Sequence, residues 1–403
     1  MMNAGVYIHI PFCRSRCSYC DFATGMYESA LATRYVGAVA KEIREWREVE
    51  LPAKVDTIYF GGGTPSLLSS AQVKQILLAV HDRFDVLSGA EVTLEMNPAS
   101  AGEDPHHRDT ENTEVAQRAL AQPAELPADK LKELRRLGIN RASFGAQTFD
   151  DDQLRRLGRT HTSEDIRATF RHLREAGFDN INFDLIAGLP RQTLDDWTRN
   201  LEAALALRPE HLSLYLLDVH EGTPLADQIA RGMQPAPDED LAAEMYTLMN
   251  ERVCAAGYEH YEISNFCLPG FESRHNSKYW TGAPYYGFGC SAHSYDGALR
   301  RWANERDTKL YVEAIEEGRS PIIERTELSA QDAKAESIFL GLRMMRGLDA
   351  RSFRARHGAD PRLEYAVELS RFRDAGLIEM DGELIRLTPN GALFSNEVFA
   401  AFV

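Results

Sequence analysis

Six short runs rich in β-branched and aromatic residues, "VYIHI", "VDTIYF", "EVTLEM", "RASFGA", "INFDLI" and "HLSLYLL", alternate with amphipathic stretches through the first half of the chain. A strand that lies parallel to the one before it needs a crossover, usually a helix, so six βα units imply an α/β fold with a parallel sheet. The helical stretches carry their own punctuation. Between the fifth and sixth runs, Thr193 suits an N-cap, Asp195 and Asp196 suit the first turn, and Leu194, Trp197, Leu201 and Leu205 share one face. Between the fourth and fifth, Ser163 is the expected cap, Ile166, Phe170 and Leu173 share a face, and Gly177 falls just past the end. This pattern fits an open doubly wound sheet and a partial barrel equally well.

At 403 residues the chain has room for two domains, at ~100–200 residues each. The Pro- and acid-rich "GMQPAPDEDL" places a boundary near Pro235, giving units 1–235 and 236–403. Residues 99–127 are polar and carry three prolines, so they read as a solvated insertion, in which the adjacent His106 and His107 are solvated rather than ligands. From about residue 330 the pattern is three helices and then "LIEMDGELIRL", two strands around an Asp381-Gly382 turn, the order of a winged helix. Such a unit often binds DNA. The formal net charge of −16 argues against a nucleic-acid or anionic-membrane partner, so a structural or partner-contact role is expected here. There is no apolar run near the ~18 residues of a spanning helix, and "MMNAGVYIHIPF" lacks the pattern of a secretory leader, which points to a soluble cytoplasmic protein.

Three of the six cysteines, Cys13, Cys17 and Cys20, fall in "CRSRCSYC", spaced C-x-x-x-C-x-x-C in the loop after the first strand. That loop lies where α/β sheets and barrels bind ligands. Structural zinc takes a closed set of four ligands, usually from two separated pairs, whereas an iron–sulfur cluster accepts thiolates from one tight loop. Cys254, Cys267 and Cys290 are in the other half of the chain, from which a fourth ligand could in principle come. With three ligands, one iron of a four-iron cluster stays open to a small molecule.

This spacing after a first strand resembles the radical S-adenosylmethionine family. The resemblance implies a [4Fe-4S] cluster on the three cysteines, whose open iron chelates the amino and carboxylate groups of S-adenosylmethionine. The ordered set "YIHIPFC", "GGGTPS", "EMNP", "SFGAQTF", "LGRTH" and "NFDLIAGLPRQT" is similar to the anaerobic coproporphyrinogen oxidase family. It implies a partial (β/α)6 barrel with a C-terminal α+β, winged-helix-like domain. Carried over by motif, Tyr7 and Tyr19 lie beside the cluster and cofactor, and Gly62, Gly63 and Thr64 meet the methionine amino group. Glu95, Gln147, Arg159 and Asp184 complete the contacts to the nucleoside and methionine parts.

Two departures separate the chain from the porphyrinogen-oxidising members. Those enzymes carry C-x-x-x-C-x-x-C-x-C, and the last position here is Phe22; they also have a segment ahead of the first strand, which here begins around Val6, so that segment is expected to be absent. In addition, "RHNSKYW" resembles the H-N-x-x-Y-W signature of the HemW-type haem chaperones. That resemblance implies haem binding at His275, Asn276, Tyr279 and Trp280. By residue type Arg274 suits a propionate, and the following "YYGFGCSAHSYDG", read as a close-packed loop, adds Cys290 and His293 as secondary candidates for iron. The expected function is therefore haem binding and transfer to an acceptor apoprotein, with an electron donor serving the cluster. The alternative is oxygen-independent oxidation of coproporphyrinogen III.

Overall fold

In the computed structural model, which describes residues 2–49, 53–98 and 127–402, the six runs form the middle of a 12-stranded sheet. Numbering the strands of this sheet in chain order, β1 is Ala4–Ile10, β2 Val55–Gly62, β3 Val86–Met96, β4 Arg141–Gln147, β5 Ile181–Ala187 and β6 His211–Leu216. Each pairs in parallel with the next, and their order in space follows their order in the chain. A doubly wound sheet reverses strand order at a switch point. The lack of any reversal across β1 to β6 makes this the wall of a partial barrel. The insertion, with His106 and His107, lies outside the described residues except for Pro127.

The alternation along β1 shows how the sheet separates core from site. Val6, Ile8 and Ile10 are fully buried and join one apolar cluster with Tyr35, Val36 and Val39 of the helix Ser29–Glu45. Tyr7, one residue out of phase, faces the opposite side, because successive side chains of a strand point to opposite faces.

Later residues lengthen the sheet at both edges. At one edge, β8 (Asn265–Cys267) pairs antiparallel with β6, and β7 (Glu259–Glu262) pairs antiparallel with β8. At the other, β9 (Tyr285–Phe288) pairs in parallel with β1 and is followed by antiparallel β10 (His293–Tyr295), β11 (Arg300–Asn304) and β12 (Ile322–Glu327). The glycine-rich "YYGFGCSAHSYDG", which reads as a close-packed loop, thus contains two strands. What makes β9 a strand is distant packing: Tyr286 sits with its ring centroid 4.7 Å from Trp46 and 5.8 Å from Phe84.

Caps and turns follow local chemistry, with two corrections. Thr193 forms the expected capping box with Asp196. In the helix Ser163–Glu175, however, the cap is Thr162 and not Ser163, because the reciprocal acceptor a capping box needs three residues on is Asp165. In the last hairpin Asp381 pairs with Leu384, so the turn residues are Gly382 and Glu383, with Gly382 at φ 56°. Positive φ at the first central position of a two-residue turn is where glycine is favoured. Around this hairpin (Ile378–Asp381 and Leu384–Leu387) pack the helices Ala330–Arg343, Ala350–His357 and Ala366–Asp374 and a third short strand, Leu348–Asp349, in a winged-helix arrangement. Among the described residues, no helix is long and apolar enough to cross a membrane.

Candidate functional site

The carboxyl ends of β1 to β6 open on a cavity of about 430 Å³. Its wall begins with the cysteine loop. Phe12–Cys13 pairs with Gly25–Met26, the Tyr27 amide donates to the Cys13 carbonyl at 3.0 Å, and the Ser18 amide donates to the Leu157 carbonyl at 3.0 Å. These contacts pin the loop at both ends and in its middle, and Cys13, Cys17 and Cys20 all line the cavity. Arg159 Nη1 donates to Cys17 Sγ at 3.3 Å, and Thr64 Oγ1 stands 3.8 Å from Cys13 Sγ.

The remaining residues expected at the cofactor line the same volume: Tyr7, Tyr19, Gly62, Gly63, Thr64, Glu95, Gln147, Arg159 and Asp184. Gly62 takes φ 110°, open to glycine, and its amide donates to Glu95 Oε2 at 3.1 Å. Tyr59 donates its hydroxyl to Glu95 Oε1 at 2.6 Å. Burial pushes the Glu95 carboxyl up to about 7, with these hydrogen bonds pulling the other way. Burial likewise raises Asp184, which accepts from Asn182 Nδ2 at 2.8 Å. Gln147 sits at φ 65° beyond a register shift at Gly145, which turns the end of β4 out of its ladder. Arg159 Nη2 donates to the Gly145 carbonyl, and a Cβ on Gly145 would stand 2.6 Å from that nitrogen, so a larger residue there would displace the guanidinium.

Reading the sequence missed Tyr59, Arg141, Ser143, Asn182 and Ser213, which line the same cavity. A signal was present: polar residues at alternating positions of strands otherwise apolar, such as Arg141 and Ser143 in "RASFGA". Arg141 is 1% exposed, and its Nε and Nη1, like Arg159 Nε, have no hydrogen-bond partner among the described residues. Two buried guanidinium groups with free donors suit an anionic occupant, and buried carboxyls facing them suit an ammonium and hydroxyls. The donor chemistry thus fits a thiolate-held cluster with S-adenosylmethionine beside it. Burial pushes the Cys13 thiol up to about 11, so binding iron there must displace its proton. Among the described residues no three His, Cys, Asp or Glu side chains gather as a site for a single ion.

The "HNSKYW" residues lie on the helix Arg274–Thr281, capped by Ser273 and closed by Gly282 at φ 64°. They do not face one volume. Asn276 lines the cofactor cavity, while Tyr279 and Trp280 line a second cavity of about 860 Å³. His275 lines neither: it is 1% exposed, with Nδ1 2.8 Å from Thr57 Oγ1 and Nε2 3.1 Å from the Tyr279 hydroxyl. Burial lowers its pKa to about 3, so the ring is neutral with both nitrogens engaged. Arg274, expected near a propionate, instead pairs with Asp56 at 3.3 Å and donates to the Gly89 carbonyl. Cys290 is fully buried, its sulfur 3.5 Å from the Tyr35 hydroxyl and 3.6 Å from Thr308 Oγ1, outside both cavities. His293 is exposed and lines the larger one.

Comparisons with known proteins agree with this geometry. The Radical SAM superfamily model matches residues 7–204 and the HemN C-terminal domain model residues 328–394. The chain is 36% identical over 398 residues to the heme chaperone HemW of Bacillus subtilis, covering 98% of each protein. With the heme chaperone HemW of Escherichia coli it shares 28% over 410 residues, covering 99% of this chain and 97% of the other. The solved structure of the Escherichia coli coproporphyrinogen III oxidase (HemN), a radical SAM enzyme, superposes with a TM-score of 0.80 at 24% identity over 99% of this chain and 90% of that one. The last likeness establishes the shared fold.

Proposed function

The chain belongs to the HemW family of the radical SAM superfamily, which implies a [4Fe-4S] cluster and S-adenosylmethionine, and on that premise we propose that it binds haem and passes it to an acceptor apoprotein. When bound, the cluster supplies one iron without a protein ligand, open to the amino and carboxylate groups of S-adenosylmethionine. In this reading Cys13, Cys17 and Cys20 hold the cluster. Arg141 and Arg159 present guanidinium donors to carboxylate oxygens, Glu95 and Asp184 accept from the ammonium and ribose hydroxyls, and Tyr7 and Tyr19 pack beside them. Gly62 and Gly63 let the ligand approach the backbone, with Thr64 beside Cys13. We assign the cofactor half to residues 1–235 and the haem-motif half to 236–403. The partners are a reductant for the cluster and a haem-accepting protein in the cytoplasm. The net charge of −16 makes a nucleic-acid partner unfavourable.

One observation carries this reading: the haem-motif helix forms part of two walls, with Asn276 on the cofactor cavity and Tyr279 and Trp280 on the larger one. This supports a motif standing between the cavity proposed for the cofactor and a volume within the ~300–1,000 Å³ range of cofactor pockets. The test is a haemin titration of the anaerobically reconstituted protein, followed at the Soret band. Saturation near one haem per chain and transfer to an apoprotein are expected. Formation of protoporphyrinogen from coproporphyrinogen III, reductant and S-adenosylmethionine would replace the carrier reading with the oxidase one.

A further inference from the structure

Building on the haem-carrier reading, we propose that haem occupies the 860 Å³ cavity between the β9 to β11 edge of the sheet and the winged-helix unit, with His293 as the iron ligand. Four observations converge there. First, aromatic rings build one wall of the volume: Tyr279 meets Tyr285 edge-on at 4.7 Å, Tyr285 is 6.1 Å from Tyr295, and Trp280 is 6.3 Å from Tyr279. Across from them the helix Ala330–Arg343 and its neighbours contribute Leu340, Met344 and Phe353. A large flat macrocycle is bound by surfaces of this kind, apolar on both sides with aromatic rings among them.

Second, the imidazole of His293 is exposed, lines the cavity and has no hydrogen-bond partner among the described residues. The other histidine there, His357, has its Nε2 2.8 Å from Ser337 Oγ. A free imidazole at the wall of a macrocycle-sized pocket is the donor haem iron takes. Third, the cavity holds a cation without a partner. Arg301 is paired with Glu336 and Arg356 donates to Tyr295 at 2.9 Å, whereas Arg346 is exposed with no ion pair among the described residues, open to a propionate. The acid nearest the helix Ala350–His357, Asp349, is already engaged as its N-cap. Fourth, His275 is sealed between the two volumes. Its ring lies 6.4 Å from Tyr7, which lines the cofactor cavity, and 5.5 Å from Tyr279, which lines the larger one. The motif histidine therefore builds the partition, and haem sits on the far side of it from the cluster.

The test titrates haemin and, separately, iron-free protoporphyrin IX into the full-length reconstituted wild type and into His293→Ala, Leu340→Trp and Arg346→Glu. Loss of an axial ligand in His293→Ala should weaken haemin by about tenfold or more and shift its Soret band, with protoporphyrin unaffected. Leu340→Trp, which fills the cavity, should weaken both porphyrins. Arg346→Glu should weaken both by about threefold to tenfold. Because His293 and Arg346 are exposed, folding of those variants is not at issue, and circular dichroism checks Leu340→Trp. Stoichiometric wild-type binding with unchanged affinity and spectrum in both His293→Ala and Leu340→Trp overturns this site while leaving the carrier reading intact. No saturable haemin binding by wild type overturns both.

Discussion

In the cofactor cavity, residues from six strand ends far apart in sequence meet around one volume; the "HNSKYW" residues, consecutive in sequence, part across one short helix. The contrast follows from the geometry of the two elements. Parallel strands in sequential order bring all their carboxyl ends to one rim, so a motif after any of them points to the same place. A helix turns about 100° per residue, so a continuous motif addresses several directions: Asn276 meets the smaller cavity, Tyr279 and Trp280 the larger one, and His275 bonds to Tyr279 one turn on. A strand-end motif therefore names a site, while a helical motif names a boundary between sites.

The largest test of this contrast is chemical. Replacing Cys17 with alanine should reduce iron and sulfide per chain, after anaerobic reconstitution, to a small fraction of wild type, yet leave haemin affinity unchanged. A parallel loss of haemin binding would break the separation of the two volumes. Next comes His275→Ala, which removes a buried ring and strands the hydroxyls of Thr57 and Tyr279. It should cost about 2–4 kcal/mol in chemical denaturation, whereas exposed His293→Ala should stay within ~0.5 kcal/mol. Equal costs would show that His275 is not part of the partition.

The cofactor cavity also carries a pH signature. Glu95 has its folded pKa raised from an ordinary 4.5 to about 7 by burial, so the folded state holds its proton more tightly. Its contribution to stability is full below the ordinary value and lost as pH rises through about 7. Relative to Glu95→Gln, the cluster-free wild type should lose melting temperature as pH rises from 4.5 to 7.5. Glu42, also raised to about 7 by burial but outside both cavities, is common to both proteins, so the difference in slope reports Glu95. An unchanged slope would mean that Glu95 titrates normally. The smallest effect is expected for Ser273→Ala, which removes the side-chain cap of the motif helix and should cost about 1 kcal/mol with the cluster intact.

Much of this was legible in the sequence. The six strand runs, the Thr193 cap and the cysteine loop were visible because each depends on a local period or spacing, and the residues that line the smaller cavity were visible because their motifs follow strands. The Thr162 cap was misplaced by one residue because two adjacent hydroxyls compete, and Asp165 decides between them. The β9 strand stayed hidden because Gly287 masks an alternation that only Trp46 and Phe84, far away in the chain, complete.

Taken by itself, the sequence determined the βα order, the three-thiolate loop and the winged-helix pattern, since helix periodicity, strand alternation and ligand spacing are set by near neighbours. The tertiary structure alone decided that the strands stay in sequential order, that His275 is held by Thr57 across 218 residues, and that His293 and Arg346 face one cavity. Which way a side chain looks is set by what packs behind it, and those partners are distant in the chain.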